Sequence, residues 1–208
     1  MSGQILGLEY HIAKNRLETL IDGIFAIAMT LLVLGIGAPK PPEALASAVL
    51  PGMIFDLVPQ VFVFIVAFLV LAYFWLGHHR QFHFVSKVDP ALLWINIFLL
   101  IPIVFIPFST DLVGDYPDVL SAVLLFHANI LIVGLLFACQ WDHIRRHECV
   151  CDPVPEERII RLWYIQAALV PAIALAAIMI SFISPVISLL AYLILPVGAL
   201  VFRRSLRC

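Results

Sequence analysis

RLETLIDGIFAIAMTLLVL, residues 16–34, opens with Arg16, Glu18 and Asp22 and closes on an unbroken aliphatic run. A helix needs about 20 apolar residues to cross the hydrocarbon core of a bilayer, and this stretch is long enough. The charges at its mouth raise a second question. Such a helix either crosses the membrane and no more, or lines something within it.

The whole chain gives the class. Of 208 residues, 63% are hydrophobic and 12% charged. Soluble domains spend about a quarter of their residues on charge and just under half on apolar groups. A larger soluble core does not close that gap, because a compact body of this size still needs a wet surface. Lipid takes the place of that surface in a membrane protein, and this is the class expected. The net charge of −2 carries no signal for a nucleic-acid partner. The opening MSGQILGLEYHIAKN lacks a basic start, an apolar run and a small-residue cleavage site. No removable signal peptide is expected, and the first apolar segment is read as a lasting span. Cys139, Cys149, Cys151 and Cys208 are spaced too unevenly for a secreted disulfide scaffold.

Six apolar segments are expected to span the membrane, over about 17–36, 56–78, 90–108, 118–140, 160–181 and 184–202. Gly37, Pro39, Pro41 and Pro42 break the first, and an amphipathic piece over 43–55 precedes or merges with the second. Ser181, Ser184 and Pro185 mark a turn between the last two, since the residue before a proline resists helical geometry. On this map, 11 of the 12 Lys and Arg fall on one side and Lys40 alone on the other, with Glu43, Asp111, Asp115 and Asp118. Short-loop basic bias marks the cytoplasm, so both termini are expected there. Pro59, Pro102, Pro107, Pro171 and Pro196 lie in or beside spans. They either shape the bundle or interrupt helices to make an ion site; no internal repeat supports the second reading.

At 100° per residue, Arg16, Leu20, Gly23, Ile27, Leu31 and Leu34 of the first span fall near one line, with Thr30 beside it. Periodicity leaves pore lining, lipid contact and ordinary packing all open. Asp22 points almost the other way, toward neighbouring helices. A carboxylate at that depth needs a partner, a proton or water. The end of span two, F74-W-L-G-H-H-R80, brings Trp75, His78, His79 and Arg80 to the same level, and Asn96 of span three adds an amide. The cluster is either a structural clamp tying three helices together or a place where Asp22 acts directly on a substrate. Gly23 would permit close helix approach.

These residues resemble a known family. The first helix is similar to the signature of the bacterial and archaeal relatives of the endolysosomal potassium channel: an Arg, then Phe-Ser-Asp-Gly, then F-A-I-x-x-T-L-L-V-L. Arg16, Asp22, Gly23, Phe25, Ala26, Ile27, Thr30, Leu31, Leu32, Val33 and Leu34 match in order. W75-L-G-H-H-R80, L93-W-I-N96 and P107-F-S-T110 resemble the family's second and third spans. Leu20-Ile21 stands in place of the usual Phe-Ser, and Gly35 where many members have Glu.

The resemblance implies an all-α, polytopic membrane protein of six transmembrane helices, a single domain over 1–208, four copies of which surround a pore without a re-entrant loop. It implies a potassium-permeable cation channel in a prokaryotic plasma membrane, in contact with lipid and with potassium and other monovalent cations. Ile27, Leu31 and Leu34 would form the constriction, with Thr30 and Gly23 beside it. Arg16, Asp22, Trp75, His78 and Asn96 would form a polar network that holds the first helix. His78 there is either a neutral structural donor or, titrating near its usual range, a sensor of cytoplasmic pH. With α-helical rise, successive rings at intervals of four and three residues would stand about 6 and 4.5 Å apart. A secondary ion- or proton-coupled transporter using Asp22 and Asn96, and a non-conducting scaffold, are the alternatives.

No enzyme is expected. H-E-x-x-H, G-x-S-x-G and a phosphate-binding glycine loop are all missing from the sequence. Intramembrane proteolysis through Asp22 wants a second facing carboxylate, and Asp56 is predicted near the other side. His127 and Asn129 in span four are buried polar candidates, read as helix-to-helix hydrogen bonders. His143, His147, Cys149 and Cys151 invite a zinc reading, but their spacing fixes no metal geometry. A cytoplasmic loop with free thiols is expected, and neither metal nor cofactor.

Overall fold

The structure is a computed structural model that describes residues 14–146 and 157–195. Its described residues are helical or in connections, and they run up and down in antiparallel fashion. Helix α1, Lys14–Leu31, continues as a 3-10 turn over Leu32–Gly35. Ile36 then takes an extended conformation (ψ 96°), and Pro39, Pro41 and Pro42, which lack the N–H a helix needs, prevent resumption. Helix α2, Ala46–Asp56, buries no residue in the chain. Leu57 separates it from α3, Val58–His83, which carries Pro59 in its first turn.

Helix α4, Pro90–Asp115, shows why its start is sharp. Asp89 is extended, its carboxylate accepts from Leu92 N at 2.6 Å, and Pro90 follows it. An aspartate cap satisfies an orphan donor, and proline at the first helical position gives up an N–H that had no partner. The same carboxylate accepts from His143 Nε2 at 2.9 Å, tying the start of α4 to the end of α5, Leu120–Arg146. Helix α6 is Glu157–Ser181, and Ser184 and Pro185 cap the short α7, Pro185–Leu189, which runs into a 3-10 turn over Leu190–Leu193.

Helix α5 sits between α4 and α6, and α1 packs across α3 and α4. The core between them is aliphatic and aromatic: Phe25 of α1, Val70 and Phe74 of α3, Leu99 and Ile106 of α4, Phe126 and Phe137 of α5, Ala174 of α6. One glycine is required by proximity. A Cβ on Gly134 would lie 2.9 Å from Cδ of Pro171, so the absent side chain lets α5 and the proline-bearing face of α6 close together.

The expectation of six spans is corrected. Five helices are long and apolar enough to cross a membrane among the described residues: Lys14–Gly35, Val58–His83, Pro90–Asp115, Leu120–Arg146 and, within α6, Tyr164–Ser181. The described part of the predicted sixth span, 184–202, is the five-residue α7, a 3-10 turn over Leu190–Leu193 and two α-helical residues, 194–195. Apolar composition persists there while the continuous α-helical repeat does not. Residues 1–13 and 196–208 lie outside the described residues, including Arg203, Arg204 and Arg207, and the inference that both termini share a side loses the even crossing count on which it rested. Helices α3 to α5 also extend beyond the predicted limits at their polar ends, because apolar runs mark the hydrocarbon core and miss the turns that protrude from it.

Topology nonetheless sorts the charges. Lys14, Arg16, Arg80, Lys87, Arg145, Arg146 and Arg161 lie at or near one end of the bundle; Lys40, Glu43, Asp111, Asp115 and Asp118 lie at the other.

Candidate functional site along the first helix

Helix α1 divides cleanly in two. Leu17, Ile21, Phe25, Ala28 and Leu32 are buried against α3 and α4. Arg16, Leu20, Gly23, Ile27, Leu31 and Leu34 lie on the opposite side, turned away from the rest of the chain. Ile27 is 56%, Leu31 39% and Leu34 73% accessible, values that would be costly in water for residues without another covering surface. A Cβ at Gly23 would meet nothing within 4 Å among the described residues, so the close approach suggested by the sequence is not made among them.

The 3-10 turn alters the spacing of the aliphatic line. Ile27 and Leu31 are four α-helical residues apart, about 6 Å along the axis. From Leu31 the chain enters the tighter turn, where the rise is about 2 Å per residue and residues three apart eclipse. Leu34 therefore stands about 6 Å beyond Leu31 and in register with it, rather than about 4.5 Å. Thr30, exposed beside this line, donates its hydroxyl proton to Ile27 O at 2.8 Å. That leaves oxygen lone pairs free to accept from, or ligate, something outside.

The polar residues assemble as two pairs. Trp75 Nε1–H donates to Asp22 Oδ1 at 2.9 Å, joining α3 to α1. His78 and Asn96 join α3 to α4 at 3.0 Å. The direction of that bond follows from its neighbour: Asn96 Nδ2 donates to Leu92 O at 2.7 Å, so its Oδ1 faces His78, whose Nε2 carries the proton. The His78 ring stacks on Phe82, with 4.2 Å between centroids. Both members are buried, Asn96 at 0%, whereas Asp22 and Trp75 are exposed. Asp22, His78 and His79 line one polar pocket with Asn15, Glu18 and Thr19, with a cavity volume of about 240 Å³. Arg16 is exposed and joins neither pair among the described residues.

Other sequence candidates find separate places. Tyr192 O–H donates to His127 Nδ1 at 2.9 Å, and His127 Nε2–H donates to Ser188 Oγ at 2.8 Å, whose own proton goes to Pro185 O. A neutral ring with both nitrogens bonded anchors the segment after α6 onto α5. Asn129 Nδ2 donates to Pro102 O at 3.1 Å. His143 is bound to Asp89, while His147, Cys149 and Cys151 lie outside the described residues. Among the described residues no three His, Cys, Asp or Glu gather in a metal-holding group. The sequence reading missed the Asp89–His143 pair, although Asp before Pro at a helix start was a legible capping signal. It also missed the bond from Gln60 Nε2 to Asp115 Oδ1, 3.0 Å, across α3 and α4.

Five apolar helices, with a first helix that turns a charged-to-aliphatic face outward, define a multi-pass, all-helical membrane protein. The family model described as endosomal/lysosomal potassium channel TMEM175 matches residues 16–107. A potassium channel of Streptomyces collinus is 31% identical over 160 residues, covering 72% of this chain and 74% of that protein. A potassium channel of Chamaesiphon minutus is 30% identical over 173 residues, covering 82% and 85%. The crystal structure of a lysosomal potassium-selective channel TMEM175 homolog from Chamaesiphon minutus superposes with a TM-score of 0.77 at 29% identity, covering 91% of this chain and 97% of that one. The chain belongs to the TMEM175 potassium-channel family, which is not a family of enzymes.

Proposed function

We propose that this chain is one subunit of a potassium-permeable cation channel in a prokaryotic plasma membrane, with four copies around a pore lined by α1. The whole chain acts as one membrane domain. The observation that carries the reading is the uncharged line Ile27, Leu31 and Leu34, exposed on the helix that bears the family signature. The names of the relatives support the choice of ion.

In this reading the aliphatic rings are the constriction. They offer no oxygen in place of a cation's hydration shell, so they gate by dewetting and select through width and dehydration. Thr30 supplies the nearest side-chain oxygen. Gly23 keeps the inner approach wide. The Trp75–Asp22 bond holds α1 to α3, and the His78–Asn96 bond holds α3 to α4, so that α1 rests on a fixed platform. His78 donates to Asn96 there, the contact that a clamp between α3 and α4 requires. Arg16 adds positive charge at the inner end. The end carrying Lys14, Arg80, Lys87, Arg145 and Arg146 faces the cytoplasm, as short-loop basic residues do, and the exposed apolar residues of α4 and α6 meet lipid.

Purified protein reconstituted in planar bilayers under potassium, sodium and caesium gradients tests this reading. Discrete current steps with a reversal potential displaced toward potassium are expected. Saturable, proton-coupled uptake without steps would make the protein a transporter instead, and silence in both assays a scaffold.

A further inference from the structure

At the outer end of α1, the side-chain position of Gly35 is already occupied. A Cβ built there would lie 2.8 Å from Asp111 Oδ1 and 3.4 Å from Asp111 Cβ. The carboxylate of α4 therefore fills the place where a side chain on residue 35 would project. Asp111 is exposed and has no ion-pair partner among the described residues. Its neighbour one turn on differs: Asp115 accepts a hydrogen bond from Gln60 and is held toward α3.

We propose that Asp111 sets the electrostatic potential at the outer entrance of the pore and so the rate at which cations enter from that side. This rests on α1 lining the pore. Gly35 directly follows Leu34, the outermost residue of the aliphatic line, and a 3-10 turn rotates about 120° per residue. The carboxylate consequently flanks the line instead of standing on it. It is a rim charge, placed to concentrate hydrated monovalent cations without stripping their water. Rotational symmetry would repeat it in every subunit, and like-signed charges around a low-dielectric opening raise the local counter-ion concentration.

The ligand class and the mechanism together dictate the test. Rim charges act over roughly 30 Å at about 10 mM salt and roughly 3 Å at about 1 M. Asp111→Asn keeps the shape and removes the charge. Single-channel potassium current entering from the outer side should fall about two- to fourfold at low salt and match wild type at high salt. Outward current and the potassium-to-sodium reversal potential should stay unchanged. Asp111→Lys should lower low-salt entry further, and Gly35→Ala, which pushes the carboxylate aside, should give an intermediate loss. Asp115→Asn should change it less than Asp111→Asn. Wild-type inward current in Asp111→Asn at low salt would overturn the proposal, as would a loss that persists undiminished at about 1 M salt. Leu31→Asn, measured alongside, separates the two levels. If it alters permeation and Asp111→Asn does not, the rim assignment alone fails; if Leu31→Asn leaves permeation unchanged, the pore assignment fails with it.

Discussion

Leu31→Asn should raise potassium conductance about tenfold and weaken discrimination between potassium and sodium. The substitution keeps the number and branching of side-chain heavy atoms on an exposed face of α1, so the fold has little reason to respond. What changes is the chemistry of the ring. Leucine repels water and gives an ion nothing to bind, whereas an amide holds water in place and offers a carbonyl oxygen. Lowering the central barrier by about 1.4 kcal/mol multiplies a rate about tenfold, and several amides at one level supply at least that. Discrimination falls because a wetted ring no longer demands that ions shed water. Leu175→Asn is the control: it places the same amide on an exposed position of α6, and permeation should not change. Unaltered conductance and reversal potential in Leu31→Asn would remove this residue from the constriction.

Asn96→Leu should cost about 1–2 kcal/mol of stability, read as a lower thermal unfolding midpoint in detergent. Asn96 is fully buried and makes two bonds, one to His78 and one to Leu92 O. Leucine fills the space but leaves the His78 Nε2–H without an acceptor, and an unpaired buried donor costs more than the bond itself contributes. A double-mutant cycle sharpens the expectation. With His78→Leu already in place that donor is gone, so the second substitution should cost less than it does alone. Strict additivity would mean that the two side chains do not depend on each other. Through packing the loss reaches α1, which rests on both α3 and α4, and with it the proposed pore.

Much of this was legible before the fold was known, for physical reasons that differ residue by residue. Hydrophobic runs located five membrane helices because the bilayer imposes a length on them. Helical periodicity put Ile27, Leu31 and Leu34 on one line, but which way that line turns came from packing, which buries Leu17, Ile21, Phe25 and Ala28 and leaves Ile27 and Leu31 outward. Periodicity failed at Leu32, where the chain tightens. The tightening over Leu32–Gly35 leaves the apolar pattern untouched. Periodicity failed again after Ser184, since Ile, Leu and Val over 184–202 satisfy one long helix or several short pieces equally well.

Side-chain partners were partly readable. Depth alone brought Trp75 toward Asp22 and His78 toward Asn96, because spans of similar length align their inner ends. Depth alone did not split them into two pairs or leave Arg16 outside both. The meeting of Asp111 with Gly35 had no local signal: it joins residues 76 positions apart (111 less 35) through the crossing of α1 and α4. Only tertiary packing makes such a contact.

The most direct test of the central claim is water access to the outward face of α1. In a background with Cys139, Cys149, Cys151 and Cys208 replaced by alanine, Leu34→Cys channels should lose nearly all current when a charged, membrane-impermeant thiol reagent is added to the outer side. Leu175→Cys should be unaffected. Current through Leu34→Cys that persists under the reagent as fully as through Leu175→Cys would place that face of α1 against lipid and contradict the account.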